Sequence, residues 1–265
     1  MKDRLVILKL GGSAITRKDK ALTARIGVIK RLAREIARAK VAPLIIIHGG
    51  GSFGHPAAEK YKLTSGLNDP SQLIGFAETH EAMVSLNRLV VNALIENGVP
   101  AFGMPPSSFM LMKQGKVQIL GMKTLEEAIK NGLVPILYGD VAFDFDKGFN
   151  ILSGDKIASF LAEKFDARRI VMAVDVDGVF TDDPKIAPSV ELIPEVTLSE
   201  IGGLRAKIGG SRGSDVTGGM FGKISELADP VEHGIEALIV NALKPDNIYK
   251  ALRGEEVIGT KVTNK

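Results

Sequence analysis

The chain has 265 residues, 45% of them apolar and 25% charged, the balance of a soluble globular protein with enough length for a sizeable core. Lys and Arg number 34 against 31 Asp and Glu, an excess too small and too scattered for a nucleic-acid surface; zero cysteines exclude disulfides, thiolate metal sites and a thiol nucleophile. No apolar run has the form of a leader peptide or the length of a bilayer span, so the expectation is a cytoplasmic protein with neither nucleic-acid nor membrane partners.

The first strand is expected over residues 5–10 and runs into Lys9-Leu10-Gly11-Gly12-Ser13. Lys9 interrupts an otherwise apolar strand, and lysine is rarely buried without a partner, so a functional role is expected for it. Ile26, Ile29, Leu32, Ala33 and Ile36 follow at helical spacing. A second strand, 44–47, empties into His48 and three glycines, Gly49, Gly50 and Gly51, with His55 seven residues beyond His48. Glycines without Cβ atoms let backbone N–H groups approach an anion, and a helix beginning near Pro56 would add its N-terminal dipole. His48, closing a buried strand, reads as a structural hydrogen-bonding residue; His55, at the mouth of the glycine turn, reads as a ligand to the anion.

A long helix is expected over 71–97, with Leu73, Phe76, Ala77, Met83, Leu86, Val90 and Leu94 on one side and Gly98 as its stop. Phe76 and Met83, two turns apart, are core residues or the wall of an apolar pocket. Strands are expected at 100–104 and 134–138. Ser153 should cap a helix that carries Ile157, Ala158, Leu161, Ala162 and Phe165. The strand 170–174 ends at Asp175 and Asp177, which share one face and suit a nucleotide site, a metal site or a plain turn. Residues 181–214, rich in Pro and Gly, read as connection. A last glycine element, Asp215-Val216-Thr217-Gly218-Gly219-Met220 with Lys223 behind it, precedes a strand at 237–240. His80 and His233 carry no context and read as surface residues.

Strands alternating with helix-period segments predict an α/β fold, a three-layer αβα sandwich on a largely parallel central sheet. Residues 1–265 are expected to form one domain, with N- and C-terminal halves meeting over a cleft. Ligands of open α/β sheets lie at the carboxyl ends of the strands, so the four glycine elements should meet in one crevice. Glycines that admit phosphates, lysines that neutralise them and a few Asp residues fit phosphoryl transfer, where positioning and electrostatics do most of the catalysis. There is no Walker A sequence, and no Gly-x-Gly-x-x-Gly follows the first strand.

Lys-Leu-Gly-Gly-Ser at 9–13, His-Gly-Gly-Gly at 48–51, Val-Asp-Val-Asp-Gly-Val at 174–179 and Asp-Val-Thr-Gly-Gly-Met-x-x-Lys at 215–223 resemble, in this order, the signature blocks of the amino acid kinase superfamily. Within it, His55, Ser153-Gly154-Asp155 and the closing Glu256-x-x-Gly259-Thr260 are most similar to the isopentenyl phosphate kinase family. The resemblance implies ATP and Mg²⁺ as cofactors and, as acceptor, a phosphate monoester with a short isoprenoid tail, in a step of isoprenoid biosynthesis by an alternative mevalonate route. It also implies a homodimer and, within the one domain, an acceptor-binding half over about 1–165 and a nucleotide-binding half over about 166–265. Lys9, Lys18 and His55 would be catalytic; Gly50, His55 and Gly154 would hold the acceptor phosphate. Lys9, Gly11, Gly12, Ser13, Gly51, Asp175, Asp177, Gly178, Gly219 and Lys223 would surround the nucleotide, and no protein ligand is assigned to the metal. Pro230 departs from the family pattern, in which the helix after the fourth block continues. Rival readings are a kinase of another small acceptor such as fosfomycin, and a nucleotide-binding regulatory or storage protein without chemistry.

Overall fold

The computed structural model describes residues 4–182, 190–208 and 219–265. Its strands are β1 (Val6–Leu10), β2 (Leu44–His48), β3 (Ala101–Gly103), β4 (Met110–Lys113), β5 (Lys116–Ile119), β6 (Val134–Tyr138), β7 (Asp140–Asp144), β8 (Gly148–Leu152), β9 (Arg169–Val174), β10 (Val179–Phe180), β11 (Leu192–Ile193), β12 (Glu195–Thr197), β13 (Glu236–Asn241) and β14 (Gly259–Thr263). The helices are α1 (Gly12–Ile15), α2 (Ile26–Ala39), α3 (Gly51–Lys60), α4 (Ser71–Ile95), α5 (Lys123–Lys130), α6 (Gly154–Lys164), α7 (Leu198–Ile208), α8 (Gly219–Glu226), α9 (Ala228–Glu232) and α10 (Asn247–Arg253).

Eight strands form the central sheet in the order β12-β14-β13-β9-β1-β2-β6-β3, parallel throughout except where β13 meets β14. Side chains alternate across β1. Val6, Leu8 and Leu10 pack on one face with Ile29, Leu32 and Ile36 of α2, Leu86 and Val90 of α4, and Ile248 of α10. Leu5 and Ile7 pack on the other with Ile157 and Leu161 of α6, Leu125 of α5 and Ile224 of α8. Both faces are therefore covered, which is why these strands read as unbroken apolar runs. Each such buried Ile, Leu or Val contributes roughly 1.5–3 kcal/mol. The three-layer αβα arrangement is the expected one.

Several elements differ from expectation. A four-stranded sheet, β5-β4-β7-β8, stands beside the central one; its short strands were not anticipated. Residues 181–214, expected as connection, supply within the described part β11, the edge strand β12 and helix α7, and Val196 is buried in the core. On α4 the inner face of the first turns is Gln72, Gly75 and Thr79, while Leu73 and Ala77 are exposed. The reason is close approach: a Cβ on Gly75 would lie 2.4 Å from the Tyr61 side chain.

Two prolines act through the carbonyls they release. Helix α3 begins at Gly51, five residues before Pro56, so the proline sits inside it. Proline cannot donate to the carbonyl four residues back, and that carbonyl, Ser52, accepts the Leu22 N–H at 3.0 Å instead. Near Pro230 the helical stretch breaks into α8 and α9, and the proline lies in the first turn of α9. The Glu226 carbonyl it leaves free takes the Ser159 hydroxyl.

Candidate active site

Strand order brings the expected glycine elements together. β1 lies between β2 and β9, with Leu10 opposite both His48 and Ala173, so the loops leaving all three strands open at one end of the sheet. The Gly11 N–H is held by the Ala173 carbonyl at 2.7 Å. A Cβ on Gly12 would stand 2.3 Å from the Gly51 nitrogen, and one on Gly49 would stand 2.8 Å from the Gly12 nitrogen. The two glycine loops thus touch backbone to backbone, a contact that no side chain permits.

Alternation along β1 turns Lys9 towards α6, whose N-terminus is capped by Ser153 through its Oγ, 3.1 Å from the Lys156 nitrogen. Asp155, in the first turn, meets it. Lys9 Nζ lies 2.5 Å from Asp155 Oδ1, and Lys223 Nζ, from α8, lies 3.6 Å from Asp155 Oδ2. Lys9 and Asp155 are each only 4% exposed. Burial raises the Asp155 carboxyl, but the two lysines outweigh it and hold the group below the usual carboxylate range. A buried acid carrying two lysines at the mouth of a sheet costs desolvation energy that an apolar trio would not. Sequence reasoning named the block containing Asp155 without giving the residue a role. An acid in the first turn after a capping Ser was the available signal.

Of the two histidines of the second loop, His48 is the structural hydrogen-bonding residue expected. His48 is fully buried, stacked on Tyr138 at 5.3 Å, with Nδ1 3.2 Å from the Gly49 carbonyl and Nε2 3.2 Å from Asn87 Nδ2. Nδ1 therefore donates and Nε2 accepts, and burial lowers the imidazole to about 4, so the ring stays neutral. His55 is half-buried on α3, one turn past Gly51. Gly50 and Gly54 rest on the Met83 sulfur, where Cβ atoms would come within 3.1 and 2.9 Å. Met83, 1% exposed, is thus core beneath this loop and not a pocket wall. A Cβ on Gly154 would stand 3.1 Å from the His48 carbonyl oxygen, so α6 starts hard against this loop.

Beyond the end of β9, Ser13 Oγ donates to Asp175 Oδ1 at 2.9 Å. Asp177 accepts from Asn241 Nδ2 at 2.9 Å and pairs with Lys244 Nζ at 2.8 Å. Gly178 abuts Thr260, whose hydroxyl also takes the Val179 N–H at 2.8 Å; this explains the Gly-Thr pair near the carboxyl end. Gly219 opens α8 with φ +62°, and its carbonyl accepts Lys223 Nζ at 3.3 Å. Asp215 to Gly218 of the fourth block lie outside the described residues.

Not every expected residue joins the cluster. Lys18 is exposed on the turn after α1 and does not reach the Lys9–Asp155–Lys223 group. His80, expected on the surface without context, is an ion-pair partner: its Nδ1 lies 2.7 Å from Asp140 Oδ2, whose side chain is wholly buried. His233 is a surface residue, its Nδ1 2.7 Å from the Asp229 carbonyl one turn back. Among the described residues no three His, Asp or Glu side chains gather as a metal cage.

The model of the amino acid kinase family matches residues 4–241. The chain belongs to the amino acid kinase family. This amino acid kinase is 39% identical over 98% of its length to the whole of the isopentenyl phosphate kinase of Methanothermobacter thermautotrophicus. It is 35% identical over 97% of its length to 98% of the isopentenyl phosphate kinase of Methanocaldococcus jannaschii. A solved isopentenyl phosphate kinase superposes with a TM-score of 0.85 at 37% identity, covering 98% of this chain and 100% of that one. The acetylglutamate kinase of Nitratidesulfovibrio vulgaris is more distant, 24% identical over 98% of this chain and 87% of that one.

Proposed function

We propose that this amino acid kinase transfers the γ-phosphoryl group of ATP to isopentenyl phosphate, giving isopentenyl diphosphate and ADP. The full-length likeness to isopentenyl phosphate kinases carries the assignment, and the site supports it. The acceptor supplies an anionic phosphate oxygen as nucleophile, so no proton need be abstracted. That oxygen bonds to the γ-phosphorus as the bond to the β–γ bridging oxygen breaks. Lys9 and Lys223, held by Asp155, and Lys18 from its turn would meet the charge that spreads over the transferring group. Gly50, His55 and Gly154 would hold the acceptor phosphate. Gly11, Gly12, Ser13, Gly51, Asp175, Asp177, Gly178 and Gly219 would line the nucleotide site; the N–H of Gly11 is spent on β9, so that glycine acts by closeness alone. Mg²⁺ would enter with the ATP phosphates, since this cation keeps most of its oxygen ligands from water and phosphate.

The halves about 1–165 and 166–265 would work as one domain over this crevice, in a cytoplasmic protein. The lack of cysteine suits a reducing compartment, and no helix among the described residues is long and apolar enough to cross a membrane. Exposed Ile95, Phe102 and Leu133, on or beside the outermost strand β3 of the sheet, support a homodimer.

ATP consumption with isopentenyl phosphate, fosfomycin and glutamate as parallel acceptors tests the proposal. Turnover with isopentenyl phosphate alone is expected. Turnover with another acceptor only, or ATP binding without transfer to any, would overturn it.

A further inference from the structure

The two glycine loops and the turn carrying Lys18 meet at one buried point that the chemistry above does not use. Thr16 ends α1 and is 0% exposed. Its hydroxyl donates to the Gly12 carbonyl at 2.7 Å and accepts the Ser52 N–H at 3.0 Å. Gly51, between them, has φ +48°, and a Cβ there would fall 2.1 Å from Thr16 Oγ1. One hydroxyl therefore spans the first loop, which carries Lys9 and Ser13 at its flanks, and the first turn of α3, which carries His55.

The same point anchors Lys18. Thr16 pairs with Ala24 as an antiparallel bridge, and Arg17 N–H donates to the Thr23 carbonyl at 2.8 Å, so residues 16–24 form a small hairpin with Lys18 near its tip. Arg25 Nε holds the Thr16 carbonyl at 3.0 Å. The far arm of the hairpin is tied to α3 by the bond from Leu22 N–H to the Ser52 carbonyl, the one that Pro56 sets free.

We propose that Thr16 and Ser52 form a positioning node that fixes the spacing of acceptor loop, first glycine loop and Lys18 hairpin for phosphoryl transfer. The inference rests on the kinase reading above. Neither residue is assigned to ATP or acceptor; Thr16 acts through its hydroxyl and Ser52 through its backbone N–H and carbonyl. In-line transfer requires reacting atoms about 3–3.5 Å apart, and a displacement of about 1 Å at a distance from the chemistry can cost on the order of 10²-fold. The node is rigid because it is dry. Removing the hydroxyl leaves the buried Ser52 N–H without this partner and the Gly12 carbonyl with the Thr16 N–H in its place. Thr16→Ser keeps it.

The test uses the whole protein with ATP and isopentenyl phosphate. Thr16→Val and Thr16→Ala should lower kcat on the order of 10- to 100-fold with little change in KM for either substrate, and Thr16→Ser should recover most of the loss. Pro56→Ala guards against a folding artefact. It returns an N–H that competes for the Ser52 carbonyl, so Tm should rise while kcat falls, a combination that a purely structural role does not produce. Wild-type kcat in Thr16→Val or in Pro56→Ala overturns the node, as does an equal loss in Thr16→Ser. Amide exchange separates this from failure of the kinase reading. Faster exchange at Ser52 in Thr16→Val and at Leu22 in Pro56→Ala supports the node even if isopentenyl phosphate is not the acceptor, and unchanged exchange at both overturns it.

Discussion

Lys9 Nζ and Asp155 Oδ1 stand 2.5 Å apart at the carboxyl end of the central strand, with both side chains about 95% removed from solvent and Lys223 on the second carboxylate oxygen. Asp155 thereby presents two ammonium groups in fixed places. Asp155→Asn keeps the volume and removes the charge that organises them. It should lower kcat by roughly 10²-fold or more, the scale of a lost preorganised electrostatic group. Because it strands the buried Lys9 and the half-buried Lys223, it should also cost about 3–5 kcal/mol of stability. Lys9→Ala, and Lys18→Ala on the exposed turn, should lower kcat with KM little changed. Lys18→Ala should do so at full stability. Steady-state kinetics beside denaturant unfolding checks all three, and unchanged kcat in any of them removes that residue from the mechanism.

His55 lies one turn into α3, where it is proposed to hold the acceptor phosphate and not to act as a general base. His55→Gln can retain one hydrogen-bond donor and should keep more activity than His55→Ala, with ATP binding nearly equal in the two. Calorimetric ATP titration and initial rates decide the matter. Equal loss of rate in both variants, or a collapse of ATP affinity, would count against the assignment.

His80 joins α4 to the buried Asp140 of β7. The hydrogen bond to that carboxylate raises the imidazole above its ordinary value of 6.5. A group whose folded value exceeds its unfolded value adds stability that is complete below the unfolded value and is lost as pH climbs through the folded one. The stability advantage of the wild type over His80→Gln should therefore be full below about pH 6.5 and shrink as pH rises beyond it. Thermal melts of both proteins across that window measure it. A gap that widens with pH would show that the imidazole is held neutral.

Phe76 and Met83 lie two turns apart on α4, yet their surroundings differ. Met83 is core under Gly50 and Gly54, so Met83→Ala should cost about 2–5 kcal/mol without a selective change in acceptor length. Phe76 is only half-buried, its ring 5.4 Å from Phe143 and 5.5 Å from Phe149 of the smaller sheet. An isoprenoid tail offers no hydrogen bonds, so length can be limited only by apolar area and by the bulk that ends the pocket. Phe76→Ala should raise kcat/KM for geranyl phosphate relative to isopentenyl phosphate. If stability falls while that ratio stays fixed, the pocket ends elsewhere.

The central layer of the fold was legible because its signals are local. Six apolar runs each became a strand of the central sheet, and Ser153 capped the helix it was expected to cap. The strands of the smaller sheet do not stand out in the sequence because polar residues interrupt them: Lys113, Lys116 and Gln118 in β4 and β5, Asp140 and Asp144 in β7, Asn150 in β8. The buried face of α4 was misread near its start, since there the inner positions are Gln72 and Gly75. A glycine under Tyr61 is selected by distance, not by hydrophobicity.

The sequence by itself determined the chemistry on offer: which lysines, glycines and histidines exist, and that they stand at the ends of strands. Local pattern suffices for that, because a strand and the turn after it are set by neighbours in the chain. Tertiary structure alone decided the pairings. Asp155 meets Lys9 across 146 positions of chain because β1 and α6 pack face to face. His80 finds Asp140, 60 positions on, and the Ser52 carbonyl released by Pro56 finds Leu22, because α3, α4 and the first hairpin crowd the same end of the molecule. Charge placement in a dry interior depends on which surfaces exclude water together. No periodicity along the chain encodes that.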